Sequence, residues 1–97
     1  LAAYEASSDP RVAFVDKPTF GSAGLAGAAE ALCGGEPGRI ELCGVVTNIC
    51  VVSNAILLHS RFLNSEIAVL QNLCAAADPA DHENALRLLA GMGYLLP

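Results

Sequence analysis

Cys50 is the residue of this sequence whose surroundings most favour chemical reactivity. It belongs to the segment Gly-Val-Val-Thr-Asn-Ile-Cys-Val at residues 44–51, which follows an apolar run and leads into a helical pattern. Thr47 or Asn48 can cap that helix, so Cys50 falls in its first turn, where backbone amides lack partners within the helix. Such amides and the helix dipole favour a thiolate, and they can also hold an oxyanion. The alternative is a buried structural cysteine at a strand–helix junction.

Lys17, the single lysine of the chain, can supply a cation to such a thiolate. It closes an apolar run at residues 11–15, while Cys50 follows a second run at residues 40–46. Because ligands collect at the carboxyl ends of strands in an open parallel sheet, we expect both side chains at the same edge. The alternative is an ordinary solvated lysine.

The apolar runs that must position these residues predict strands of a parallel sheet, because none of them alternates cleanly. They occupy residues 11–15, 40–46, 66–70 and, more weakly, 94–96. Helical patterns lie between them, at residues 21–32, at residues 48–62, and from 79 to 91 or 93, with Asp78 as the expected N-cap of the last. The second helix is apolar around most of its circumference and is expected to be buried. Strands that alternate with helices predict an open α/β sheet.

The composition excludes several classes of function. The 97 residues suffice for one compact domain, and 10 acidic against 5 basic residues give a net charge of −5. That balance argues against nucleic-acid binding and against attachment to anionic membranes. Residues 42–60 carry no charge, but polar side chains interrupt them, so we expect no membrane span. The chain begins with leucine rather than methionine, which indicates part of a longer polypeptide.

The four cysteines and two histidines offer no metal site by their spacing. No cysteine pair has the C-x-x-C pattern, and neither His59 nor His82 completes a zinc site. We therefore expect reduced thiols in an intracellular protein. His82 is interpreted as a surface residue and His59 as a helix-terminal one, and neither receives a catalytic role. The glycines at 21, 24 and 27 do not have the dinucleotide-binding spacing.

Three blocks of the sequence together resemble the isochorismatase-like cysteine hydrolases, which include nicotinamidases and many bacterial amidases. The blocks are Lys-Pro-Thr-Phe at residues 17–20, the segment at residues 44–51, and Asp-His-Glu-Asn-Ala-Leu at residues 81–86. The resemblance implies a Rossmann-like, three-layer α/β/α fold with a parallel sheet, of which only the later strands are present. Residues 1–97 would then be the C-terminal portion of a single hydrolase domain.

Family membership implies a catalytic aspartate, lysine and cysteine. Lys17 matches the lysine and Cys50 matches the nucleophile, whereas the aspartate belongs to an upstream strand. Asp9 and Asp16 lie in the wrong context to replace it. Any divalent metal, such as zinc, would also be held by the absent N-terminal half, so no metal or other cofactor is expected in this chain.

The resemblance also implies how the developing negative charge would be held. The family has a cis peptide bond before the threonine of the block, which corresponds here to Val45–Val46. This bond would turn the amide of Val46 toward that of Cys50 and so complete an oxyanion hole. Phe20 is expected to line the substrate pocket, and the alternative is that it packs over the sheet.

The implied activity is hydrolysis of a C–N amide bond in a small molecule, nicotinamidase-like, through a thioester on Cys50. The alternative is a catalytically incomplete fragment that serves as a structural or interaction domain. The expected partners are the amide substrate, the N-terminal half of the domain and further copies in a homo-oligomer, in the cytoplasm. Because the sheet neighbours of the runs at 11–15 and 40–46 would be missing, we expect residues 1–97 not to fold alone. A monomer with a cooperative unfolding transition would contradict this.

Overall fold

In the computed structural model of the chain, residues 9–97 are described, and they form an α/β unit. Helices and strands alternate, with a short π-helical turn before the second helix. The bounds are α1 Leu25–Cys33, β1 Arg39–Val45, the π-helical turn Thr47–Val51, α2 Val52–Arg61, β2 Glu66–Ala75 and α3 Pro79–Gly91. This alternation confirms the predicted α/β class.

The sheet is parallel, as the unbroken apolar runs predict. β1 and β2 are direct neighbours, and their pairing begins with Arg39 opposite Glu66. Leu95 forms a parallel bridge with Ala68, so the C-terminal segment lies along the other side of β2. Parallel neighbours need crossover connections, and α2 and α3 provide them. The predicted weak strand at residues 94–96 is reduced to this single bridge.

The predicted strand at residues 11–15 is wrong. Within residues 9–97 this segment pairs with no strand, and Val12 N donates instead to Asp9 O at 3.1 Å in a local turn. The physical reason is that a strand needs a neighbour for its backbone groups, and the described part of the chain offers none there. The helix predicted from residue 21 begins only at Leu25, because Gly24 is its N-cap.

The uncharged stretch at residues 42–60 divides into the end of β1, the π-helical turn and most of α2. Only one face of α2 is buried: Ala55 and Leu58 face the interior, whereas Ile56 and Leu57 are 42% and 43% exposed. The expectation that this helix is buried all round is therefore wrong, since its outer face contacts no other element of the described chain closely enough to be covered. Within residues 9–97, no helix is long and apolar enough to cross a membrane.

The hydrophobic core lies where α2, β2 and α3 meet. Its fully buried members come from all three regions: Phe62 directly after α2, Val69 in β2 and Leu89 in α3 are each 0% exposed. Val51, Ala55, Leu58 and Phe62 recur at three- or four-residue spacing, which puts them on one helical face. Val51, the last residue of the π-helical turn, belongs to this core, which therefore fixes the turn against β2 and α3.

The pairing of β1 with β2 is irregular just before that turn. Leu42 lies opposite Val69 and Gly44 opposite Cys74, so two steps along β1 correspond to five along β2. Gly44 has φ +120°, a conformation that side-chain-bearing residues rarely adopt. A bulge of this kind bends the strand and redirects the chain beyond it. Here the redirected segment is the one that carries Cys50.

Asp78 caps α3 as predicted, since its Oδ1 accepts a hydrogen bond from Ala80 N at 2.8 Å and Pro79 is the first helical residue. We expect Asp78→Ala to lower the free energy of unfolding by about 1 kcal/mol, because an orphan amide loses its acceptor. Urea unfolding of the protein that contains its upstream residues measures the change. Asp78→Asn is the matched control and keeps wild-type stability, because asparagine caps equally well; equal losses in both variants would contradict a capping role.

Candidate active site

Lys17 and Cys50 meet at the carboxyl end of β1. The ammonium Nζ of Lys17 lies 3.4 Å from Sγ of Cys50. Both side chains line a cavity of about 210 Å³, together with Leu25, Leu42, Cys43, Gly44, Val45, Val51 and Asn54. Cys50 is half-buried and Lys17 is exposed. The ammonium group is thus close enough to pair with a thiolate on Cys50, and the thiolate is the form of cysteine that attacks a carbonyl carbon.

The local backbone places Cys50 in a π-helical turn rather than in the first turn of an α-helix. Val46, not Thr47 or Asn48, is the N-cap, and no side chain caps the turn. Val46 O accepts from Ile49 N at 3.1 Å and from Val51 N at 3.2 Å. The predicted side-chain cap is wrong because the Thr47 hydroxyl is engaged elsewhere. π-helical turns are frequently found at functional sites.

The peptide bond between Val45 and Val46 is cis. This agrees with what the resemblance implies for the residue pair before Thr47. The side chain of Val45 is 68% exposed and borders the cavity beside Cys50.

Phe20 does not line this cavity. Its side chain is 63% exposed and borders a separate, open depression with Ile56 and Leu57 on the outer face of α2. The structure therefore brings together Lys17, Val45 and Cys50 from the predicted site, but not Phe20.

The other cysteines differ from Cys50 in their surroundings. All four are free thiols, and Cys43 lines the same cavity from β1. Burial raises the pKa of the Cys74 thiol, and the neighbouring Cys43 adds to this, against an opposing effect of a hydrogen bond with the Gly44 backbone. Cys74 is thereby disfavoured as a thiolate. Within residues 9–97, Cys50 is the one thiol among these four that forms a hydrogen bond with Lys17.

His82 is a residue whose role the sequence analysis missed. Its ring Nδ1 lies 2.9 Å from Oγ1 of Thr47, which is 0% exposed, so the two side chains share a hydrogen bond across α3 and the π-helical turn. The interpretation as a surface residue is wrong because His82 lies on the same helical face as the buried Ala85, Leu86 and Leu89. That three-, four- and seven-residue spacing is the sequence signal that identifies it.

We expect His82→Leu to lower the free energy of unfolding by about 1–3 kcal/mol, because it leaves the buried Thr47 hydroxyl without a partner. In a Thr47→Val background the same change should cost less than about 1 kcal/mol, since no unpaired hydroxyl is created. Urea unfolding of the four proteins of this double-mutant cycle, each with its upstream residues, measures the difference. Equal losses in both backgrounds would show that the hydrogen bond does not carry the effect.

The histidines do not combine into a metal centre. His59 lies in the last turn of α2 and shares a hydrogen bond of 3.0 Å with the hydroxyl of Tyr94, whose pKa is raised by burial. Within the part of the chain that the structure describes, no three side chains of histidine, cysteine, aspartate or glutamate lie close enough to hold a metal ion. The described residues therefore do not fit a metal, and no catalytic step is assigned to one.

The chain matches a known sequence family and the folds of several solved structures. The family model described as Isochorismatase domain matches residues 3–96. No curated protein matches the chain in sequence.

Solved structures match the fold closely. A nicotinamidase from Staphylococcus aureus is 27% identical, with a TM-score of 0.78 over 98% of this chain and 62% of that one. A pyrazinamidase/nicotinamidase from Streptococcus mutans is 26% identical, with a TM-score of 0.79 over 99% of this chain and 52% of that one. A pyrazinamidase of Pyrococcus horikoshii in complex with zinc is 25% identical, with a TM-score of 0.68 over 84% of this chain and 45% of that one. The chain thus spans about half the length of these relatives.

Proposed function

The chain belongs to the isochorismatase family, and we propose that it carries the nucleophile of a cysteine hydrolase that cleaves a C–N amide bond in a small molecule. The observation that carries this proposal is the contact of 3.4 Å between Lys17 Nζ and Cys50 Sγ. Nicotinamidases among the structural relatives support a nicotinamide-like amide as the substrate class.

In the proposed reaction, the aspartate takes the proton of the Cys50 thiol, the thiolate attacks the carbonyl carbon of the amide, and the C=O electron pair moves to oxygen. The amides of Val46 and Cys50 hold this oxyanion. The tetrahedral intermediate collapses with loss of ammonia or an amine, which takes a proton from the aspartic acid, and a thioester remains on Cys50. Water, deprotonated by the aspartate, then attacks the thioester and releases the carboxylic acid and the thiolate. Lys17 stabilises both anions, the thiolate and the aspartate.

This mechanism needs an aspartate that the described residues do not provide. Among the side chains that line the cavity within residues 9–97, none is acidic. We propose that the N-terminal half of the same domain supplies it, because the chain spans about half the length of its structural relatives. That half would also supply sheet neighbours beside β1. Any divalent metal would be bound there as well, as zinc is in one relative.

The absence of an acidic side chain from this cavity in residues 9–97 also supports a second candidate, a non-catalytic domain that serves in structure or interaction. An assay of ammonia release from nicotinamide, pyrazinamide and a panel of small primary amides separates the two. Turnover by the protein with its upstream residues supports the hydrolase. No ammonia from any amide, by a protein that is folded, favours the non-catalytic domain.

We further infer a reducing compartment, the cytoplasm, because all four cysteines are free and the cysteine nucleophile requires its thiol. A homo-oligomer stays a prediction of the family resemblance.

A further inference from the structure

The segment that carries Lys17 has no strand or helix to hold it. Residues 16–24 form neither a helix nor a strand, and α1 begins only after them. A lysine has a long, flexible side chain, and holding it at one position opposes its conformational entropy. The contact of 3.4 Å with Cys50 therefore requires that other residues anchor this segment.

Asn54, on the first turn of α2, joins this segment to the turn that carries Cys50. Its Nδ2 donates to Cys50 O at 2.9 Å and to Phe20 O at 3.3 Å. Its Oδ1 accepts from Ser22 N at 2.8 Å. One amide group thus makes one contact on the nucleophile side and two on the lysine side.

Only a side chain with both donors and an acceptor can make these three contacts. An aspartate has no N–H to offer the two carbonyls, and an alanine or leucine has neither group. Ser22 is only 6% exposed, so loss of Oδ1 leaves its N–H without access to bulk water.

The contacts continue from this anchor to the ammonium group. A Cβ at Gly21 would lie 2.7 Å from Leu57 Cδ1, which shows how closely the segment approaches α2. Thr19 Oγ1 donates to Gly21 O at 3.0 Å, and Lys17 Nζ donates to Thr19 O at 3.3 Å. The path from Asn54 to Lys17 is thus made of short-range contacts along the segment.

We propose that Asn54 is the positioning residue that holds Lys17 against Cys50, and so sets the reactivity of the Cys50 sulfur. This inference rests on the proposed function only for the identity of Cys50 as the nucleophile. Asn54 touches neither reacting atom; it acts through the segment that carries the lysine.

The test is the rate at which iodoacetamide alkylates Cys50 across pH in the protein that contains its upstream residues, followed by mass spectrometry of the peptide that contains Cys50. We expect Asn54→Ala to lower the rate at pH 7 about tenfold, as Lys17→Met does, because the thiolate loses the same cation. Alkylation of Cys50 in the double variant, Lys17→Met with Asn54→Ala, should be no slower than in either single variant. Asn64→Ala, at an exposed asparagine away from the cavity, is the matched control and should react like wild type.

Two results would overturn the proposal: a wild-type alkylation rate in Asn54→Ala, or losses that multiply in the double variant. Alkylation of the exposed Cys33 serves as an internal reference for general reactivity. Circular dichroism monitors the fold, and Asn54→Leu, which keeps the number of non-hydrogen side-chain atoms and has a higher helix propensity, replaces Asn54→Ala if that variant unfolds. No substrate is needed, so failure of amide hydrolysis with the predicted alkylation pattern would overturn the proposed function alone.

Discussion

Replacing Cys50 by alanine is expected to lower kcat/KM for amide hydrolysis by about 10⁴-fold or more, because the thioester can no longer form. The measurement is ammonia release from the best amide of the panel, with the protein that contains its upstream residues. Cys43→Ala is the matched control, since Cys43 is a second free thiol lining the same cavity, and its activity should stay within about twofold of wild type.

Comparing kcat/KM of the Cys50 and Cys43 variants shows which cysteine is the nucleophile. Turnover retained in Cys50→Ala would eliminate the cysteine mechanism. If kcat/KM falls as much in Cys43→Ala as in Cys50→Ala, the contact with Lys17 does not single out Cys50 as the nucleophile. Cys50→Ser, which keeps a weaker nucleophile of similar size, should lie close to the alanine variant.

Replacing Lys17 by methionine is expected to lower kcat/KM about 100-fold at pH 7, which corresponds to about 2.7 kcal/mol of transition-state stabilisation. The reason is the loss of the ammonium group 3.4 Å from Cys50 Sγ, which stabilises the thiolate. Activity is measured with the amide used for Cys50→Ala.

Arg87→Met is the control for general loss of positive charge, since Arg87 is exposed on α3 and does not line the cavity. It should keep wild-type activity. A Lys17→Met variant with wild-type kcat/KM would contradict the role of the lysine beside the nucleophile.

Local sequence chemistry predicts part of the fold well. α3 begins where expected, because Asp78 and Pro79 form a cap that depends only on neighbouring residues. The sequence also predicts β1 within one residue at each end, since its apolar run is long and bounded by glycine and polar residues. Interactions of short range are the ones that a single sequence encodes most directly.

Long-range contacts explain what could not be predicted. Residues 11–15 form no strand in the described chain, because strand formation depends on a neighbour and not on the run itself. The π-helical turn differs from the first turn of an α-helix only in which backbone groups are hydrogen-bonded to each other. The composition of the segment does not determine that choice.

The candidate site also contains some residues whose positions the sequence predicts and others whose positions it does not. Lys17 and Cys50 lie close together, as expected from the rule that the carboxyl ends of parallel strands share one edge, but only Cys50 follows a strand, because residues 11–15 form none in the described chain. Asn54 escapes prediction because its three hydrogen-bond partners are backbone groups, which no residue type reveals. The position of Phe20 close to Lys17 in sequence suggests a place in the pocket, but its side chain lies toward the outer face of α2.

The most direct test of the account is to trap the acyl group during turnover. The protein is mixed with an amide that it hydrolyses, quenched in acid within the first turnovers, digested and analysed by mass spectrometry. We predict the acyl group of that amide on the peptide that contains Cys50, and its release by hydroxylamine, as expected for a thioester. An acyl group on a different residue, or undiminished turnover by protein whose Cys50 is fully alkylated, would contradict the account.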